Sequence, residues 1–102
     1  MAGLRKNLVT VELMDGSVVG PERIIFADKI RLEKAARANS WDLSRDEIRM
    51  GSFFAWAVLD RTEQLPAEGM KYEEFLPEIL DVQVTSEEPE DADDPTTADI
   101  SA

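Results

Sequence analysis

The sequence predicts an α+β domain: a small N-terminal β-hairpin packed on about three α-helices, followed by a disordered acidic C-terminal tail. Three observations predict it. Strand formers flank an Asp-Gly turn near the N-terminus. Helical apolar spacing then recurs in three successive segments before residue 82. Residues 83–102 hold seven acids and no base. The chain has 102 residues, so a single domain is expected.

The hairpin is read from "NLVTVELMDGSVVG", residues 7–20. Leu8, Val9, Val11 and Leu13 alternate roughly, as a half-buried strand does. Asp15-Gly16 marks the turn, because Gly accepts positive φ without strain. Val18 and Val19 begin a return strand, which Gly20-Pro21 is expected to interrupt, since Pro donates no ladder hydrogen bond. "RIIF" at 23–26 either resumes extended structure or leads into the first helix.

The first helix is "ADKIRLEKAARANS", residues 27–40, rich in good helix formers. Asp28 suits its N-terminal end, where the helix dipole favours a negative charge. Leu32, Ala35 and Ala36 share a face, and the two alanines allow close approach of a second helix. Asn39 and Ser40 are its expected terminators.

The second helix is expected to run from Arg45 to about Glu63. Ser44 and Glu47 have capping-box spacing, and Leu43 and Ile48 occupy the staple positions. Pro66 limits its extension. Within it, "MGSFFAWAVLDR" (residues 50–61) is apolar nearly all the way round. Such a helix is central and covered on more than one side. Arg49 and Arg61 are expected to pair with nearby acids. The third helix is expected within "MKYEEFLPEILDV", residues 70–82, where Tyr72, Phe75, Leu76, Ile79 and Leu80 follow helical spacing. Pro77 there either kinks the helix or lies in its first turn. The expected folded domain is therefore 1–82, and 83–102 the tail, which has too little apolar surface to offset the entropy of ordering it.

Composition narrows the function. The chain has no cysteine and no histidine, which excludes disulfides, thiolate or imidazole metal sites and His-based proton transfer. There is no Gly-rich phosphate loop and no nucleophile motif, so no catalytic residue, cofactor or metal ligand is expected, and the chain is not read as an enzyme. A net charge of -11 disfavours nucleic-acid binding. No run approaches the ~20 apolar residues that span a bilayer, and no signal-peptide core opens the chain, so a cytosolic protein is expected.

The order of "ADKIRLEKAARAN", "FFAWAVLDRTEQLP", "YEEFLPEILDVQV" and an acidic segment with "DPTT" resembles the tail assembly chaperones of long-tailed (siphovirus-type) bacteriophages, especially those of actinobacteria. Asp28, Glu33, Trp56, Arg61, Tyr72, Phe75 and Leu76 carry the resemblance, which covers about residues 8–96. It implies a protein of the host bacterial cytoplasm that binds and solubilises the tape measure protein during tail morphogenesis. It also implies self-association into a homo-oligomer and recruitment of tail tube protein through a longer frameshift product. Neither form is expected in the mature virion.

Physical reasoning gives the contact residues. An apolar helix this exposed to choice of partner is hard to surround with ~82 folded residues. Phe53, Phe54, Trp56, Tyr72 and Phe75 are therefore expected to include the partner-binding residues, while most of "MGSFFAWAVLDR" is core. Two other classes remain open. One is a small acidic inhibitor or nucleic-acid mimic that blocks a host protein, although the acids are concentrated in the tail rather than ranked on a folded face. The other is a minor structural subunit of the virion.

Overall fold

The computed structural model describes residues 6–87. Its elements are β1 (Lys6–Leu13), β2 (Val18–Arg23), α1 (Phe26–Asn39), α2 (Glu47–Arg61), α3 (Tyr72–Phe75), a 3₁₀ turn (Leu76–Glu78) and β3 (Ile79–Glu87). The fold class is α+β, as the sequence predicts. The strands form one antiparallel sheet in the order β2–β1–β3.

The hairpin turns at Asp15-Gly16, with Gly16 at φ 91°. The Asp15 carboxylate accepts from the Ser17 N–H (2.9 Å) and hydroxyl (2.6 Å). Those bonds hold its pKa below the ordinary value. Contrary to expectation, β2 continues through Gly20-Pro21. Its pairing with β1 shifts register between Val9 and Val11 at that point. An edge strand tolerates Pro, because the missing N–H is not needed on the open side. Gly20 is required there: its φ is 103°, and an added Cβ would lie 2.6 Å from the Val9 carbonyl oxygen. Gly20→Ala is expected to cost about 2 kcal/mol or more, read as a lower urea midpoint at unchanged slope.

α1 starts where Asp28, at its third position, accepts from the Ile25 N–H at 2.9 Å. It ends at the expected place. Ser40 takes the left-handed conformation, and the Trp41 N–H closes back on the Ala36 carbonyl. α2 begins two residues later than expected. Ser44 donates to the Asp42 carboxylate through both N–H and hydroxyl, so it caps a turn rather than the helix. At the other end Glu63 takes positive φ, and the Gln64 N–H reaches the Leu59 carbonyl at 2.8 Å.

α2 is the central element. On one side Ala55, Val58 and Leu59 pack with Val9, Val11, Leu13 and Ile24 under the sheet. On the other, Phe53 and Ala57 pack with Leu32 of α1 and Tyr72 of α3. The all-round apolar character of this helix is thus spent on two separate cores. A third tie is ionic. Arg61 forks onto the fully buried Asp28 carboxylate at 3.1 and 3.0 Å, and also donates to the Arg23 carbonyl at 3.0 Å. The bonds to Asp28 hold the Arg61 pKa above its usual value.

The last element corrects the sequence reading. The expected third helix lasts only from Tyr72 to Phe75, and Pro77 sits in the 3₁₀ turn that follows. A longer helix would carry Pro77 in its interior, at a cost of about 3 kcal/mol. Extended structure from Ile79 instead pairs with β1 along its whole length, from Leu13↔Ile79 to Lys6↔Glu87. β1 thereby becomes the middle strand. The expected boundary at Val82 falls inside β3, so Gln83–Glu87 belong to the sheet and not to a tail. The expectation of disorder for 88–102 lies outside the described residues.

Candidate partner-binding surface

The five expected contact residues separate into two groups. Phe53, Tyr72 and Phe75 are buried, Phe75 completely, and so offer no surface to a partner in the folded chain. Their aromatic bulk fills the cores instead. Phe53 and Tyr72 pack with centroids 5.3 Å apart, and Trp41 lies 6.0 and 5.8 Å from them. The Tyr72 hydroxyl is satisfied by the Ser52 hydroxyl at 2.9 Å. Phe54 and Trp56 are half-buried.

Trp56 is occupied within the chain. Its indole N–H donates to the Met70 carbonyl at 2.8 Å, which fixes the loop before α3. The Arg31 guanidinium lies 4.5 Å from its ring centre and pairs with Asp60 at 3.1 Å. A cation over the ring face is a favourable contact in its own right. Trp41 is covered in the same way by Arg49, 4.7 Å from the ring centre. Arg49 Nε stands 4.0 Å from Asp46, so both helix arginines face acids as expected.

Phe54 leads to the open surface. It lines a groove of about 650 Å³ between the N-terminal half of α2 and β3. The apolar walls include Ile48, Leu76, Leu80, Val82 and Val84, with Glu47 and Asp81 at the rim. Gly51 explains how the walls meet. A Cβ there would lie 3.7 Å from Val84 and 3.9 Å from Val82, so the helix backbone passes directly over the strand. Ile48 is 90% exposed, Leu80 54% and Val84 46%. Single exposed apolar residues are ordinary, but three along one concave face form a patch of the kind that marks an interaction site.

These residues were not in the expected contact set. Ile48 fits the staple pattern with Leu43, yet in the structure Leu43 packs against the α1 core and Ile48 points away from it. The alternation of Val82, Gln83, Val84 and Thr85 is the signal that could have revealed β3 and its apolar face. Among the described residues no cluster of three or more His, Cys, Asp or Glu could hold a metal ion, and no helix is long and apolar enough to cross a membrane. No protein-family model, curated protein or solved structure matches the chain.

Proposed function

We propose that this protein is a phage tail assembly chaperone, a binding protein without catalytic activity, that holds apolar helical segments of a tape measure protein in solution. The observation that carries the reading is the open groove between α2 and β3 on an otherwise strongly acidic chain. An amphipathic helix laid in such a groove loses its apolar stripe from water, while the rim acids Glu47 and Asp81 favour basic residues flanking that stripe. The net charge of -11 keeps the loaded complex dispersed. The resemblance in Asp28, Glu33, Trp56, Arg61, Tyr72, Phe75 and Leu76 supports the same class. In that class the client is the tape measure protein, tail tube subunits are recruited through a longer frameshift product, and assembly takes place in the host cytoplasm without retention in the virion.

The groove, rather than the buried aromatics, is the contact surface in this proposal. Ile48→Asp is expected to leave the thermal midpoint nearly unchanged, because a surface substitution of a residue this exposed shifts stability by about 0.5 kcal/mol or less. The same variant is expected to weaken binding of a labelled tape-measure helix peptide at least about tenfold, since a charge placed in an apolar contact must be desolvated. Equal binding by Ile48→Asp and the unaltered chain, in a fluorescence anisotropy titration, would remove the groove from the proposal.

A further inference from the structure

The two edges of the sheet are built differently. β2 has six residues, a proline, and a register shift where it passes β1. Those features blunt an edge against further pairing. β3 has nine residues and contains no proline, glycine or basic residue, with acids only at Asp81 and Glu87. Its one irregularity is Leu80, the residue skipped between the pairs Leu13↔Ile79 and Glu12↔Asp81. From Asp81 onward it is a regular strand with, among the described residues, a neighbour on one side only. The Val82 N–H donates to the carboxylate of Asp81 at 2.9 Å, a local substitute acceptor of the kind an unpaired amide requires.

We propose that β3 pairs antiparallel with β3 of a second copy of this chain, about a two-fold axis at Gln83, to make one six-stranded sheet. The register follows from charge and shape. With Gln83 opposite itself, Val82 faces Val84 of the second copy, and Asp81 faces Thr85 of the second copy. Both valine pairs then lie on the α2 side of the sheet, and no like charges stand opposite each other. Moving the axis to Val84 sets Asp81 against Glu87, which is unfavourable for directly opposed like charges. Moving it to Val82 brings the irregular Leu80 one position nearer the axis, opposite Val84 instead of Ser86.

Segments of the same chain are poor occupants of this edge. Residues 88–102 begin Glu-Pro and carry six acids, so they would bring like charge to Asp81 and Glu87 and lack an N–H at Pro89. A second copy pairs Val82 and Val84 of each chain symmetrically about the axis. Because opposed residues of an antiparallel pair share a face, the two α2 helices lie on the same side. The two grooves then adjoin across the axis, with Val84 of each copy between them. This pairing does not depend on the identity of any client.

The test uses the full chain with a single cysteine, which is unique because the protein has none. Opposed residues in an antiparallel pair have Cα atoms about 4.5–5.5 Å apart, within disulfide range. Gln83→Cys is therefore expected to oxidise to a covalent dimer under mild conditions. Thr85→Cys, displaced from its own copy by about 13 Å along the strands, is expected to remain reduced. In sedimentation equilibrium the unaltered chain is expected to show a dimer whose dissociation constant rises at least about tenfold in Gln83→Lys, from the opposed charges. Gln83 is exposed, so both variants retain the fold, checked by circular dichroism. A monomer whose Gln83→Cys variant oxidises no faster than Thr85→Cys would overturn the proposal and leave the edge to a strand of another protein. A dimer indifferent to Gln83→Lys would overturn it equally, by placing the interface elsewhere.

Discussion

Arg61→Ala is expected to cost about 3 kcal/mol, more than half of the stability of a domain of this size. Asp28 is fully buried, and Arg61 is its bidentate partner. Removing only the cation strands a carboxylate in the core, which is far worse than never having had the pair. The Arg23 carbonyl loses a donor at the same time. Against roughly 5 kcal/mol for a domain of this size, the remaining margin is small. The double variant Asp28→Ala with Arg61→Ala is expected to cost less than the two single variants added together, because no charge is then left unpaired. Urea unfolding of the three variants measures this. Additive losses would show that the pair is solvated and structurally incidental.

Phe75→Ala has the other large expected effect, about 3–5 kcal/mol. Phe75 is completely buried and packs with Val9, Val11, Ala55, Val58 and Leu59, so it joins α3 to both the sheet and α2. Phe75→Leu keeps most of the volume and is expected to cost about 1.5 kcal/mol or less. Both are read from the urea midpoint. A folded, stable Phe75→Ala that loses only partner binding would return Phe75 to the contact surface from which its burial removes it.

The parts of the fold that were legible in the sequence are those governed by local signals. The Asp15-Gly16 turn, the α1 stop at Ser40 and the acid beside Arg49, three residues before it, follow from short-range chemistry, whereas Asp28, the partner of Arg61, lies 33 residues away in another helix. The central position of α2 was legible from an apolar surface too wide for one neighbour. What was not legible depends on distant pairing. Residues 72–80 carry a real helical period, but β3 gains its hydrogen bonds from β1, more than sixty residues earlier in the chain. Pro77 tips that contest by stopping the helix after one turn.

The candidate surface was misread for a related reason. Aromatic residues identify where burial is greatest, and in a chain this small they were consumed by the cores, as Phe53, Tyr72 and Phe75 show. The exposed groove is made of aliphatics, Ile48, Leu80 and Val84, whose exposure depends on where β3 lies. Only Phe54, among the expected contacts, sits at its wall. A local pattern, Leu43 with Ile48, also favoured the wrong role for Ile48. The staple fails because the chain turns at Asp42 and Ser44 and carries Leu43 toward α1.

The most direct measurement of the central claim is co-production of residues 1–102 with a long tape measure fragment encoded by the same genome, followed by size-exclusion chromatography with light scattering. The account predicts a fragment that is insoluble alone, becomes soluble with the chain, and co-elutes with several copies of it. It also predicts that Ile48→Asp abolishes this rescue while remaining folded. A fragment that stays insoluble beside a well-folded, unaltered chain would contradict the chaperone reading.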